Sequence, residues 1–195
     1  MPRPIDPEKY ASKRSAIVSA ASSQFASHGY QRSTTAGICR EAGISSGTFF
    51  HYFPSKLDVL VAVLESGCDD LRARLTRTEE SSSGFDAVLR YAEELQAEVS
   101  DDSFAVFVAG IAGLESEPRV AAALATEAEL VADFLLRNVD QGQRSGELRT
   151  DVPAPDLARW VSWLLDGASQ AAAVETSALG SPLRDAVRAL LDAPS

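Results

Sequence analysis

Two cysteines, two histidines and a single methionine leave this chain little of the chemistry that metals and redox centres use. With only His28 and His51 available, no metal-ligand spacing arises. Cys39 and Cys68 each fall within a helical pattern and read as reduced thiols packed as small apolar side chains. Also missing are a glycine-rich phosphate loop, a nucleophile elbow and any paired catalytic carboxylates; the acidic residues are scattered on helix faces beside arginines. The longest apolar run without a charge, residues 103–114, falls short of the roughly 20 residues that cross a bilayer. The opening MPRPIDPEKY is polar and proline-rich, unlike a secretory signal. These absences predict a cytoplasmic, non-membrane protein that is not an enzyme and carries no cofactor or metal.

Positive charge is scarce overall, with a net charge of −10, but it is unevenly placed. Residues 1–60 hold seven basic side chains (Arg3, Lys9, Lys13, Arg14, Arg32, Arg40, Lys56) and four acidic ones (Asp6, Glu8, Glu41, Asp58), a net of +3, so the remainder carries −13. Screening over about 8 Å at physiological salt separates the two charge regions, so the acidic part does not forbid contact between the first 60 residues and a polyanion.

What the chain has in abundance is helical periodicity. Asp6-Pro7 reads as a cap followed by proline at the first helical position. Ile17, Ala21 and Phe25 then recur every four residues up to His28-Gly29, where His28 suits the negative end of a helix. Ser55 caps a long helix with Leu57, Leu60, Leu64, Cys68, Leu71 and Leu75 on one face. Residues 78–84, TEESSSG, read as a linker. Phe85, Leu89, Ala92, Leu95 and Val99 mark the next helix, and residues 104–114 are apolar all round, which predicts a buried helix or one that lines a cavity. Val120 to Val139 continue the pattern into a loop at 142–155. A helix with Leu157, Trp160, Val161, Leu164, Leu165 and Ala168 follows, and Ser181-Pro182 caps a last one. No strand or internal repeat is evident.

The most informative stretch is residues 30–56, YQRSTTAGICREAGISSGTFFHYFPSK. Ser33 and Thr34 offer caps to a short helix with Ala36, Ile38, Cys39 and Ala42 at helical spacing. Gly43 supplies a left-handed residue that ends it. Ser45 caps a second short helix whose first turn, Ser46-Gly47-Thr48, is small enough for close approach, and a cluster of aromatic residues follows. Two short helices joined by a sharp turn, the second with an accessible first turn, read as a helix-turn-helix that sets its second helix in the DNA major groove.

Phe25, Gly29-Tyr30, Ser33-Thr34, Ile38, Ala42-Gly43-Ile44-Ser45, Gly47-Thr48-Phe49, Tyr52-Phe53, Ser55-Lys56 and Leu60 fall in register with the DNA-binding domain of the TetR family of transcriptional regulators, which this segment resembles. The resemblance implies an all-α protein of about nine helices. Residues 1–56 form a three-helix DNA-binding domain, and residues 57–195 form a helical effector-binding and dimerisation domain, the helix after Ser55 connecting the two. It places Ala36, Gly37, Ser46, Gly47, Thr48, Phe50 and His51 towards bases, and Ser33, Thr34, Tyr52 and Lys56 towards phosphates. Phe50 stands where the family commonly has tyrosine. Gly37 sits inside a helix at a cost of about 1 kcal/mol relative to alanine, which implies a close approach or drift. The second short helix has neither Arg nor Lys, so bidentate guanine contacts cannot come from it.

The family's further properties give three more expectations: a homodimer formed through the last two helices, an inverted-repeat DNA operator, and repression relieved by a small, mainly apolar effector. Phe104, Phe107, Val108, Ile111, Phe134, Trp160 and Trp163 are candidates to line the effector pocket, although aromatic residues at helical spacing also serve as ordinary core. Phe49 and Phe53 read best as a small aromatic core beneath the helix-turn-helix. A second reading stays open, in which the chain is a helical protein-interaction adaptor that has lost specific DNA binding. Arg3, in the residues before the first helix, is a weak candidate for the minor groove.

Overall fold

A computed structural model of the chain describes residues 6–174 and 183–192. Among these residues all regular structure is helical, in nine elements: α1 (Pro7–Arg32), α2 (Thr35–Glu41), α3 (Ser46–Tyr52), α4 (Lys56–Ser81), α5 (Gly84–Val99), α6 (Asp102–Ile111), α7 (Pro118–Ser145), α8 (Ala154–Val174) and α9 (Leu183–Leu191). The all-α expectation of about nine helices holds. Arg3 and the Ser181-Pro182 cap lie outside the described residues. No described helix is long and apolar enough to cross a membrane.

The helices divide between two compact units, one of Met1–Gly67 with Val106–Ala123 and the other of Cys68–Ala105 with Leu124–Ser195. In the first unit, Asp6 caps α1 by accepting from the Glu8 and Lys9 amides at 3.2 and 3.4 Å. Ile17, Ala21 and Phe25 are completely buried, as their spacing predicts, Ile17 and Phe25 each contributing roughly 1.5–3 kcal/mol. α1 breaks at Gly29, with φ 73° and ψ 157°, and makes one more turn to Arg32. α2 packs on α1 and α3. Ser55 and Asp58 close the start of α4 reciprocally: the Ser55 hydroxyl donates to Asp58 at 2.6 Å and accepts from the Asp58 amide at 3.2 Å. Arg119 reaches the same carboxylate at 2.6 Å, and its hydrogen bond holds Asp58 below the usual carboxylate range.

From Phe104 onward α6 is apolar on every side, yet only Ile111 is buried; Phe104, Phe107 and Val108 are half-exposed. Its close contact in this unit is at Gly110, where a Cβ would lie 2.6 Å from the Tyr30 nitrogen and 2.9 Å from the Gly29 Cα. Two backbones meet there with no room for a side chain.

The second unit buries Leu71 and Leu75 of α4 with Ala87, Val88, Leu89, Tyr91 and Ala92 of α5, Phe134, Leu135 and Val139 of α7, Leu157, Val161 and Leu165 of α8, and Leu183, Val187 and Leu191 of α9. α5 packs on both α8 and α9. The expected linker at 78–84 is mostly helix. Thr78, Ser81 and Ser82 turn their hydroxyls back to carbonyls three or four residues earlier, which satisfies the final turn of α4 without leaving the helix. Glu79 is also tied to Arg137 and Asn138 of α7. Only Ser82 and Ser83 separate α4 from α5. The chain resumes at Gly84, whose φ of 59° requires glycine and whose amide donates to Asn138 at 3.1 Å. Both cysteines are buried and no disulfide joins them.

Because the obstacles at Gly110 are backbone atoms, Gly110→Ala is expected to lower the unfolding free energy by about 1–3 kcal/mol in a urea titration, against a gain in helix propensity of about 1 kcal/mol. Unchanged or increased stability would contradict the close packing of α6 on Gly29 and Tyr30.

Candidate DNA-reading surface

The helix-turn-helix is built from local hydrogen bonds that the sequence specifies. Thr34 caps α2 by accepting from the Gly37 amide at 3.0 Å. α2 ends with the Ala42 amide on the Ile38 carbonyl and the Ile44 amide on the Cys39 carbonyl, both at 2.9 Å, around Gly43 at φ 62°. That six-residue closure needs the left-handed conformation that glycine supplies without strain. Ser45 then caps α3, accepting from the Thr48 amide at 3.1 Å, with the two hydroxyls 2.9 Å apart.

The seven residues of α3 divide by face. Phe49 is fully buried and stacks near Phe53 at 6.1 Å, forming the aromatic base beneath the turn, with the Arg14 guanidinium 5.2 Å from the Phe53 ring. Ser46, Gly47, Phe50 and His51 are exposed, and Phe50 keeps 52% of its surface. Thr48 and Tyr52 are half-buried. Tyr52 stacks on Tyr10 of α1 at 4.6 Å, and His51 sits edge-on to both rings at 6.2 and 5.3 Å. Tyr10 was absent from the sequence candidates. Its spacing of four from Arg14, which also supports the aromatic base, is the signal that would have found it.

On α2, Thr34 and Ala36 are exposed and Gly37 is half-buried. The glycine has an internal cause: a Cβ at position 37 would lie 2.7 Å from the Gln24 side-chain oxygen, and Gln24 is held by Glu41 at 2.6 Å. Close approach is therefore present, and it is between α2 and α1. Arg40 is exposed at the end of α2, and Arg32 at the end of α1, without having been singled out from sequence.

Ser33 and Lys56 lie behind this surface. The Ser33 hydroxyl is buried and donates to the carbonyls of Gly29 and Gln24 at 2.7 and 2.9 Å. The Lys56 ammonium donates to the carbonyls of Tyr30 at 2.8 Å and Ser33 at 3.0 Å, and lies 4.2 Å from the centre of the Tyr30 ring. Burial pushes the Lys56 pKa down, while the Tyr30 phenol is pushed up, first by burial and then by Glu117. Lys56 thus acts as a charged cap on the carbonyl end of α1.

The seven pocket candidates are shared between the two units. Phe107, Val108 and Ile111 belong to the first compact unit, whereas Phe104, Phe134, Trp160 and Trp163 belong to the second. Phe134 is completely buried against Tyr91, with ring centres 5.5 Å apart. Trp160 and Trp163 are exposed, Trp163 at 62%.

Charge-assisted hydrogen bonds of this kind contribute about 1.5–3 kcal/mol each. Lys56→Ala is therefore expected to lower the unfolding free energy by at least about 1.5 kcal/mol, measured in urea. A variant as stable as the parent would contradict the capping role.

Comparison with known proteins agrees with this geometry. The sequence model described as bacterial regulatory proteins, tetR family, matches residues 17–63, from within α1 into α4. The HTH-type transcriptional regulator UidR of Escherichia coli strain K12 is 28% identical over 142 residues, covering 71% of this chain and 70% of UidR. The HTH-type transcriptional repressor KstR2 of Mycolicibacterium smegmatis is 35% identical over 71 residues, 36% of this chain and 35% of that one. A TetR transcription regulator from Haloarcula marismortui shares the fold, with a TM-score of 0.81 at 20% identity over 93% of this chain and 97% of the other. The family match places residues 17–63 with the DNA-binding domains of the TetR family of transcriptional regulators, and the relative that matches over most of the chain is itself an HTH-type transcriptional regulator.

Proposed function

We propose that the chain is a ligand-responsive repressor that binds an inverted-repeat operator as a homodimer and leaves it when a small effector binds. The observation that carries the DNA-reading part is the division of α3, with Phe49 in the core and Ser46, Gly47, Phe50 and His51 presented outward. Residues 1–56 form the DNA-binding domain in this reading, and residues 57–195 bind effector and dimerise. Phe50 meets a thymine methyl, and Ser46, Thr48 and His51 hydrogen-bond base edges. Ala36 and Gly37 approach closely from α2, and Thr34 and Tyr52 face phosphates. Ser33 and Lys56 work from behind, fixing the end of α1 on which α2 is seated. With no Arg or Lys on α3, DNA shape carries part of the specificity.

One helix-turn-helix covers half a site, and two-fold pairing sets two of them about 34–36 Å apart or at a multiple of that spacing. α8 and α9 provide the dimer surface, supported by the exposed rings of Trp160 and Trp163 on α8. The assignment as a repressor is supported by KstR2, which carries that designation. The uncharged recognition helix favours the adaptor as second reading, and the same experiment separates the two.

Selection of bound molecules from a pool of randomised duplexes is expected to enrich an inverted repeat. Phe50→Ala and His51→Ala, both at exposed positions, are each expected to weaken binding to the enriched duplex by about 1–3 kcal/mol while leaving the melting temperature unchanged. Retention that is only salt-sensitive and nonspecific would favour the adaptor. Full affinity in both variants would remove α3 from the contact surface.

A further inference from the structure

α3 is only seven residues long, and a helix that short is held by its neighbours more than by its own hydrogen bonds. Its first turn is fixed by the Ser45 cap on the Thr48 amide, and its middle by the buried Phe49. The last turn has neither support. His51 is exposed, Tyr52 is half-buried, and Phe53 already leaves the helix in an extended conformation. Such an end frays unless another element holds its side chains.

That element is the start of α1. Tyr10 closes the first turn of α1, its amide bonded to the Asp6 carbonyl at 3.0 Å. Its ring lies over that of Tyr52, with centres 4.6 Å apart and planes inclined by 32°. The His51 ring stands nearly perpendicular to both, at 81° to Tyr10 and 87° to Tyr52, with centres 6.2 and 5.3 Å away. All three separations fall in the range of about 4.5–7 Å over which aromatic pairs attract. One turn further along α1, the Arg14 guanidinium lies 5.2 Å from the Phe53 ring, so two residues four apart on α1 brace the two successive rings that end α3. The brace has a fixed base, because Ile17, Ala21 and Phe25 of the same helix are completely buried. Phe50 has a different support: it packs on Phe49, with ring centres 5.3 Å apart.

We propose that Tyr10 is a positioning residue for DNA recognition, holding the His51 imidazole and the Tyr52 ring in their binding orientation before DNA arrives and touching no base itself. A side chain that becomes ordered only on binding loses its rotamer freedom at that moment, whereas one already confined by neighbouring rings does not. The inference rests on the reading of α3 as the DNA-contacting face, and it makes the contribution of His51 depend on a ring from another helix.

The first test needs no DNA. The chain has two histidines, so the imidazole protons of the full chain give two sets of NMR signals, assigned with His51→Ala. Nuclear Overhauser contacts between the His51 and Tyr10 rings are expected in the free protein, and Tyr10→Ala is expected to shift the His51 signals while those of His28 stay in place. Missing contacts, or His51 signals that do not move, would overturn the proposal.

The second test measures affinity for the duplex enriched by selection and for duplexes in which each base pair is changed in turn. Tyr10→Ala is expected to weaken binding by about two- to tenfold. Its discrimination should fall at the base pairs affected by His51→Ala and persist at those affected by Phe50→Ala, and the substitution should cost less when His51 is already alanine. Tyr10→Phe keeps the ring and is expected to match the parent. A Tyr10→Phe protein as weak as Tyr10→Ala would make the hydroxyl a direct DNA contact, and additive effects of Tyr10→Ala and His51→Ala would leave only a structural role; either result overturns the proposal. Should Tyr10→Ala fold poorly, the Overhauser contacts and Tyr10→Phe still decide. Lost discrimination in His51→Ala with none lost in Tyr10→Ala removes the positioning role and leaves α3 reading DNA. A His51→Ala protein with the parent's discrimination removes His51 from the reading surface, and this inference with it.

Discussion

The carbonyl end of α1 is the constraint on which the reading head depends. A helix that stops leaves its last carbonyls unsatisfied, and here they are met by groups from several places. Ser33 bonds the Gly29 and Gln24 carbonyls, Lys56 bonds those of Tyr30 and Ser33, and Gly110 admits the α6 backbone against Gly29 and Tyr30. The next residue, Thr34, caps α2. The direction of α2, and through the Gly43 turn that of α3, is therefore set by a buried polar junction as well as by the aromatic base under Phe49. The side chains that meet DNA in the proposed function stand on the outside of this junction.

Features encoded by near neighbours were legible in the sequence. The caps at Asp6, Thr34, Ser45 and Ser55 and the left-handed Gly43 depend on residues two to five positions apart, so spacing alone reveals them. The burial of Ile17, Ala21 and Phe25 follows from their repeat of four. Lys56 was read as a phosphate ligand because its charge and position were visible, while the Tyr30 carbonyl, 26 residues away, was not. Gly37 was ambiguous until Gln24 appeared beside it. The serine-rich stretch at 78–84 looked like a linker because serine is common in loops, and its return bonds to helix carbonyls became evident only in three dimensions.

The effector side was less legible, for a related reason. Aromatic residues at helical spacing suggested a pocket, and their spacing did not show that Phe134 is completely buried while Trp160 and Trp163 are exposed. Charge counted along the chain gave an acidic second part. The same partition of charge leaves residues 1–60, the part proposed to meet DNA, with a net charge of +3.

The central claim is that the exposed face of α3 reads base edges in two symmetric half-sites. The most direct test places a photo-crosslinking phenylalanine analogue at position 50 and maps the crosslinked nucleotides on the duplex enriched by selection. The account predicts crosslinks at a matching base in each half of the inverted repeat, on the major-groove side. Crosslinks scattered along the duplex, confined to one half, or absent while binding persists would contradict it.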